Sequence, residues 1–168
     1  LNIRLLSDLH LEFNDRCYID IPAGDVLILA GDICLASEVE KYSLFFEQCV
    51  DKYNKVFYVM GNHENYYGDF NETEKILRNN LPEGITLLQN QSEYYNGVHF
   101  VGATMWTDFH GDKKEMEKAG LYMNDYNLVN NFTPEIALKE NTNTIEWFQQ
   151  CVPMLKKGNV VMITHHAP

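Results

Sequence analysis

The amino-acid sequence predicts an α/β fold in which β-strands and helices alternate. Two short, continuous apolar runs, at residues 25–30 and 55–60, are each followed by a glycine. Such runs are typical of strands that are buried on both faces of a sheet. Between them, residues 37–53 place their apolar side chains at helical spacing. Strand, helix and strand in this order predict two parallel strands joined by a crossover helix.

The first half of the chain contributes three predicted strands and two predicted helices. The first strand is expected at residues 3–7, before the two strands described above. We expect the crossover helix to begin at Ser37 as its N-cap, with Glu40 completing a capping box. A second helix is predicted at residues 72–81 and a short strand at residues 85–88.

The second half begins with a predicted hairpin, because Asn96-Gly97 favours the two-residue turn that matches strand twist. A long helix is expected from Pro134 to about Leu155, with Thr133 as its N-cap. Pro153 is expected to kink or end that helix. A last strand is predicted at residues 159–164, and residues 107–131 are expected to form loops that select the substrate.

Composition excludes several classes of protein. The 168 residues, 45% of them hydrophobic, suit a single domain over residues 1–168. No apolar run approaches the roughly 20 residues of a membrane span, and no signal-peptide pattern is present. With four widely spaced cysteines, this predicts a cytoplasmic protein without a disulfide framework. The net charge of −11 argues against duplex nucleic acid as a partner, and nothing indicates a protein partner.

Polar, metal-binding residue types cluster where the predicted strands end. Ligands of parallel α/β sheets bind outside the carboxyl ends of the strands, so these residues are expected to converge. Gathering so many ionisable groups in one place requires a compensating cation. The residues concerned are Asp8, His10, Asp32, Asn62, His63 and His165.

These residues stand in four ordered motifs: residues 8–10, 31–32, 61–64 and 164–166. In this order they resemble the calcineurin-like metallophosphoesterase superfamily, with Gly61-Asn62-His63-Glu64 as the most specific motif. Residues 7–12, 104–109, 123–126 and 164–168 are similar to its bacterial and phage predicted-phosphoesterase branch. The resemblance implies a four-layer αββα sandwich with the site at the strand ends.

The resemblance also implies a role for each site residue. Asp8 and His10 would bind a first metal ion, Asp32 would bridge both ions, and Asn62 and His165 would bind the second. His63 would be the catalytic residue that contacts the phosphate and protonates the leaving group. Glu64 is expected to be structural. Thr164 precedes His165 as the family pattern requires, and strand alternation argues against His166 binding metal as well.

The implied activity is hydrolysis of phosphate mono- or diesters at a dinuclear metal centre with a bridging hydroxide as nucleophile. Oxygen and imidazole ligands favour Mn, with Fe, Zn or Ni as alternatives. Two ions that share a carboxylate lie roughly 3.5–4 Å apart, close enough to clamp one phosphoryl group. The alternatives are a non-catalytic scaffold, which the presence of His63 disfavours, and a single-strand nuclease, which the acidic composition disfavours.

One motif of the family, Gly-His-x-His, does not occur in the sequence. Its two histidines complete the metal centre in the family, one for each ion. We therefore expect the C-terminal part of the fold to be missing from these 168 residues. Residues 1–168 alone are expected to bind fewer than two ions, to turn over little substrate and to leave apolar sheet surface uncovered.

Four other residues receive simpler interpretations. His99 is expected to be partly exposed in a strand, and His110 to lie in a loop, where it would flank the substrate at most. Tyr66 and Tyr67 are expected to pack rather than to stack on a substrate.

Overall fold

A computed structural model describes residues 1–13, 19–155 and 158–168. The strands among these residues are β1 (Ile3–Leu6), β2 (Gly24–Ala30), β3 (Tyr53–Val59), β4 (Ile85–Leu87), β5 (Gln91–Tyr95), β6 (Val98–Ala103) and β7 (Asn159–Thr164). The α-helices are α1 (Ser43–Lys52), α2 (Phe70–Asn80), α3 (Lys113–Tyr122), α4 (Asp125–Leu128) and α5 (Pro134–Met154). Short 3₁₀ helices cover Leu11–Phe13, Ala36–Tyr42, His63–Asn65 and Phe109–Gly111.

The strands form two sheets. The first sheet is fully parallel, with the strand order β1-β2-β3-β4. The second sheet has the order β5-β6-β7, in which β5 and β6 are antiparallel and β6 and β7 are parallel. The predicted hairpin is confirmed, because Asn96 and Gly97 both have positive φ between β5 and β6.

The two sheets pack face to face, and helices cover their outer faces. Alternate residues of β2 point to opposite sides, as a pleated strand requires. Ile28 and Phe57 pack between the sheets against Phe100, whereas residues 27 and 29 belong to a second core that includes α1 and α2. Across the molecule, Val101 packs against Phe148 of α5. The predicted αββα layering is thereby confirmed.

The start of the crossover helix differs from the prediction. Residues 36–42 form a 3₁₀ helix before α1, and Ser37 does not cap it. The physical reason is the spacing of the buried residues Ala36, Val39 and Tyr42, which recur every three positions. Three residues per turn is the period of a 3₁₀ helix, so this segment buries one continuous face only in that form.

The region from residue 107 to residue 131 is also more regular than predicted. Instead of loops alone, it contains a 3₁₀ helix, α3 and α4. α3 begins at a polar cap, since the Asp112 carboxylate accepts a hydrogen bond from the Lys114 N–H at 2.8 Å. No residue of α3 is fully buried. Its sequence therefore lacks the regular apolar spacing that predicts a helix.

The long helix follows the prediction closely. The Thr133 hydroxyl accepts from the Ile136 N–H, Pro134 occupies the first turn, and α5 ends at Met154, one residue after Pro153. Cys34, Cys49 and Cys151 form no disulfide, while Cys17 lies outside the described residues. None of the described helices is long and apolar enough to cross a membrane.

The edge strands of the two sheets leave apolar side chains in solvent. On β1, Ile3 and Leu5 are 37% and 64% exposed, although their register partners Val26 and Ile28 face the other sheet. On β7, Met162 is 48% exposed. The expected uncovered sheet surface is therefore present along β1 and β7.

Candidate metal centre

The predicted site residues converge at one end of both sheets. β1 ends at Leu6, two residues before Asp8, and β2 ends at Ala30, two residues before Asp32. The loop after β3 carries residues 62 and 63, and β7 of the second sheet leads directly into His165. Parallel strands thus deliver six side chains from four separate segments to one place, as their position in the sequence predicted.

The backbone of these loops is unusual. Asp8, His10 and Asp32 all adopt left-handed conformations, with φ of 54°, 46° and 53°. Side chains other than glycine rarely occupy this region, and such outliers cluster at functional sites. Main-chain bonds hold the loops together, since the Asp8 and His10 N–H groups donate to the Gly31 and Asp32 carbonyls, both at 3.0 Å.

Two glycines make room for the site. A Cβ on Gly61 would lie 2.2 Å from the Asp32 Oδ1. A Cβ on Gly31, whose φ is +90°, would lie 2.4 Å from Nδ1 of His165. Any larger residue at either position would displace a predicted metal ligand, so the glycines belong to the site.

Asp32 lies at the centre of the cluster and is only 4% exposed. Its Oδ2 is 3.7 Å from Nε2 of His10, and its Oδ1 is 3.5 Å from Nε2 of His165. Oδ1 also accepts a hydrogen bond from the His63 N–H at 2.9 Å. One carboxylate therefore faces histidines on both of its sides.

Two groups of potential ligand atoms share this carboxylate. His10, Asp32 and His63 form one, which we call the His10 half-site, with their ligand atoms within 4.8 Å of one another. Asp8, Asp32 and His165 form the other, the His165 half-site, within the same distance. The resemblance assigns Asp8 to the ion held by His10, whereas here its carboxylate groups with His165. Which ion Asp8 binds, and whether His63 binds none, stay predictions.

Hydrogen bonds turn the ligand atoms of the His165 half-site inward. Nδ1 of His165 lies 2.8 Å from the Ala30 carbonyl oxygen, which can only accept, so Nδ1 carries the proton. Nε2 is then left with its lone pair, 3.2 Å from Oδ1 of Asn62. The Asn62 amide is oriented in turn by donating from Nδ2 to the Tyr66 hydroxyl at 3.3 Å.

Glu64 connects the loops of the site through buried hydrogen bonds. It is 1% exposed and accepts from the backbone N–H groups of Asp32, Ile33 and Gly61 at 3.0, 2.8 and 2.7 Å. The Tyr58 hydroxyl donates to it as well, at 2.7 Å. Burial, and then the charge of Asp32, raise the pKa of Glu64. These contacts agree with the structural role predicted for Glu64.

The two adjacent histidines that follow β7 have different neighbours, although their rings meet edge to face with centroids 4.8 Å apart. Both lie beyond the strand, which ends at Thr164. His165 points at Asp32, whereas the His166 ring lies 5.2 Å from the Trp106 ring. Burial, and then the neighbouring His165, lower the pKa of His166. His166 therefore lies beside the site rather than among its ligand atoms.

Glu12 and Tyr66 contact the site residues more closely than their sequence patterns predicted. Glu12 Oε1 lies within hydrogen-bond distance of both His10 and His63. The Tyr66 ring stacks on the His63 ring at 4.2 Å, and its hydroxyl meets Asn62. For Glu12, the signal in the sequence was its place in the motif at residues 7–12, close to His10. For Tyr66, it was proximity to His63 alone. Two simpler expectations are wrong: Tyr67 is 68% exposed instead of packed, and His99, expected to be partly exposed, is buried against the Tyr94 ring.

A cavity of about 600 Å³ adjoins the centre at Asn62. Aromatic and aliphatic side chains form much of its wall, together with two carboxylates and two histidines. These residues include Met105, Trp106, Asp108, His110, Asp125, Tyr126, Ile145 and His166. The predicted substrate loops therefore do border the site, although much of them is helical.

The donor set fits divalent cations. It offers carboxylate, amide and imidazole atoms without a thiolate, as Mn, Fe, Zn and Ni sites accept. The Nε2 lone pair of His165 faces the Oδ1 atoms of both Asn62 and Asp32. The residues present could hold metal ions without a change of fold.

Comparison with known proteins identifies the family. The sequence profile of the calcineurin-like phosphoesterases matches residues 1–168. The chain belongs to this family. Among viral proteins, it is 30% identical over 195 aligned positions to the uncharacterized protein L509 of Acanthamoeba polyphaga mimivirus, spanning 99% of this chain and 68% of L509.

A solved structure shows the same fold. The phosphopantetheinyl hydrolase PptH of Mycobacterium tuberculosis superposes with a TM-score of 0.66 at 18% identity, over 99% of this chain and 68% of that one. The chain therefore has the fold that its motifs implied. Membership of the family, together with the two groups of potential ligand atoms, supports metal-dependent phosphate-ester hydrolysis in general terms.

Proposed function

We propose that the protein hydrolyses phosphate mono- or diesters with two divalent ions held on either side of Asp32. The observation that carries this proposal is the shared carboxylate. Asp32 contributes a ligand atom to both half-sites, and histidine nitrogens face its two oxygens separately. A carboxylate in this position can bridge two ions that clamp one phosphoryl group.

The bound ions would supply positive charge to the phosphoryl oxygens and lower the pKa of a water in the site. The chain's own residues do the rest. Asp8, His10, Asp32, Asn62 and His165 would hold the ions, and the acidic protein thereby acquires the local positive charge that a phosphate ester requires. Mn is the ion we expect, because it accepts mixed oxygen and imidazole ligands.

His63 would bind the phosphate and donate a proton to the leaving oxygen. Its Nδ1 faces Glu12, so Nε2 is the atom available for the substrate. To donate from Nε2 while Nδ1–H stays on Glu12, His63 would act as the doubly protonated imidazolium. Tyr66 stacks on one face of the ring, and the His63 side chain is 18% exposed, which leaves it accessible. General acid catalysis of this kind contributes typically about 10²–10⁴-fold to the rate.

The organic part of the substrate would occupy the cavity beside Asn62. Asp108 and Asp125 line this cavity, and no lysine or arginine is among its described lining residues. A second anionic group on the substrate would meet two carboxylates there, at a cost that grows as water is excluded. We therefore propose a neutral or cationic organic group.

Chelation tests the reaction class. With p-nitrophenyl phosphate and bis(p-nitrophenyl) phosphate as substrates, EDTA should abolish turnover and Mn²⁺ should restore it best. Where the gene continues beyond Pro168, the longer product should be assayed beside residues 1–168. Full activity in a metal-stripped, EDTA-saturated sample would rule out the metal mechanism. Two bound Mn²⁺ without turnover of either ester would favour the scaffold alternative.

Matched substrates test the cavity. A p-nitrophenyl diester of choline should be cleaved faster than one whose second arm ends in a carboxylate. Asp108→Asn should reduce this preference because it removes one repelling charge. A preference for the carboxylate arm, unchanged in Asp108→Asn, would contradict the proposed substrate class while leaving the metal mechanism intact.

A further inference from the structure

Glu12 lies between two histidines of the His10 half-site. Its Oε1 is 2.9 Å from Nδ1 of His63 and 3.2 Å from Nδ1 of His10. The Glu12 side chain is only 6% exposed. Its other oxygen, Oε2, is buried and has no hydrogen-bond partner among the described residues. The carboxylate is thus shielded from water, and the two histidine rings are its hydrogen-bond partners among the described residues.

We propose that Glu12 is a positioning residue that fixes the tautomer and the ring orientation of His10 and His63 together. The importance of this role for catalysis rests on the proposed function. The contact itself depends only on the geometry of the chain. It links a predicted metal ligand to the predicted catalytic histidine through one oxygen atom.

The chemistry of a carboxylate determines the tautomers. An ionised carboxylate only accepts hydrogen bonds, so both Nδ1 atoms must carry a proton to bond with it. Each ring, when neutral, then has its lone pair on Nε2. For His10, Nε2 is the atom that lies 3.7 Å from Asp32 Oδ2. Glu12 therefore prepares the nitrogen that faces the half-site.

Packing leaves ring rotation as the freedom that Glu12 removes. The two histidine rings meet edge to face, with centroids 4.3 Å apart. Tyr66 stacks on His63, but Phe13, near both rings at 5.6 and 6.0 Å, is 72% exposed and cannot confine them. Without the carboxylate, His10 could turn about its side-chain torsions and present either nitrogen.

Glu12 is not well placed to bind the ion itself. Its Oε1 approaches the Nδ1 side of both rings, whereas the ligand atoms of the half-site lie on the Nε2 side of His10. Carboxylates behind metal-binding histidines characteristically raise affinity by orienting the ring, and their removal typically costs about 10–100-fold in metal affinity. Here one carboxylate would serve a ligand and a proton donor at once.

Nitrogen NMR on the metal-free protein tests the tautomers without metal or substrate. In ¹⁵N-labelled wild type, at a pH where the imidazole rings are neutral, His10 and His63 should both show the Nδ1–H tautomer, with assignments made from His10→Ala and His63→Ala. In Glu12→Leu, both rings should lose this single tautomer, whereas Glu12→Gln should keep it because the amide oxygen still accepts. Glu93→Leu, which removes a carboxylate paired with Lys55, is the matched control and should change neither ring.

Calorimetric titration with Mn²⁺ is the second measurement. Glu12→Leu should weaken binding about 10–100-fold and Glu12→Gln by less, with Glu93→Leu unchanged. An Nε2–H tautomer on either ring of the wild type would overturn the proposal, even if Glu12→Leu fails to fold. So would unchanged tautomers in a folded Glu12→Leu. A failure of the hydrolase assays would leave this test unaffected, so the two proposals can fail separately.

Discussion

The two half-sites that share Asp32 are supported by different kinds of contact. In the His10 half-site, both histidines meet a carboxylate, Glu12. In the His165 half-site, the histidine meets the backbone carbonyl of Ala30, and Asn62 beside this half-site meets the Tyr66 hydroxyl. Hydrogen bonds to an ionised group are roughly twice as strong as neutral ones. One side of the centre therefore depends on a single charged side chain, and the other on neutral acceptors.

The half-sites also differ in how the fold builds them. His10, Asp32 and His63 all follow strands of the first sheet. His165 follows β7 of the second sheet and reaches Asp32 only because the sheets pack together. The His165 half-site should thus respond to changes in the core between the sheets, whereas the His10 half-site should respond to local side-chain changes.

Asp32→Ala should have the largest effect, because it removes the ligand common to both half-sites. We expect fewer than one Mn²⁺ per chain and a loss of activity of about 10³-fold or more. The number of bound Mn²⁺ ions per chain and kcat/KM test this prediction. Asp51→Ala, at an exposed position, is the control for loss of a carboxylate. Retention of one tightly bound ion would mean that one half-site binds metal without Asp32 and that Asp32 does not bridge the two ions.

His63→Ala and His165→Ala should separate catalysis from metal binding. His63→Ala should keep near-wild-type metal content while kcat falls about 10²–10⁴-fold, because proton donation and a phosphate contact are lost. His165→Ala should instead lose metal. A parallel loss of metal in His63→Ala would make His63 a ligand of the His10 half-site, which its position near His10 and Asp32 permits.

Tyr66→Phe tests the hydrogen bond that orients Asn62 beside the His165 half-site. The variant keeps the ring that stacks on His63 and removes the hydroxyl, which meets Asn62 and also interacts with Asp125. A neutral hydrogen bond contributes about 0.5–1.5 kcal/mol, so Mn²⁺ affinity should fall by about tenfold or less. Tyr67→Phe, at an exposed position, is the control. A loss as large as that of Glu12→Leu would contradict the difference between the two supports.

The smallest effect is expected from Ile163→Val, a loss of one methylene group between the sheets. It should lower the free energy of unfolding by about 0.5–1.5 kcal/mol and weaken the His165 half-site a few-fold, because Ile163 lies two residues before His165. Ile21→Val removes the same group from the other core. It should lower the free energy of unfolding by a similar amount and leave the metal affinity unchanged. Equal metal affinity in both variants would show that sheet packing does not govern this half-site.

Much of this arrangement could be predicted from the sequence, because it depends on local patterns. The apolar runs located the strands, and the polar residues behind them located the end of the sheet where the ligands meet. Glu64 was correctly expected to be structural. What escaped prediction depends on contacts between distant residues: Glu12 reaches a histidine 51 positions away.

The secondary structure that was missed has equally physical causes. α3 buries no residue completely, so its composition resembles that of a loop. The segment before α1 was assigned to a regular α-helix, although Ala36, Val39 and Tyr42 recur at the spacing of a 3₁₀ helix. The burial of His99 depends on its neighbours in the folded sheet, which a single strand does not reveal.

The left-handed backbone at Asp8, His10 and Asp32 implies that the protein gives up stability in order to hold its site. Each such residue costs on the order of 1–3 kcal/mol, and glycine would carry no such strain. His10→Gly should therefore melt at a temperature no lower than His10→Ala in the metal-free state, while both variants lose the ligand. Destabilising substitutions elsewhere in the chain should therefore unfold these strained loops first. Bound metal would stabilise the folded state of the whole molecule against unfolding.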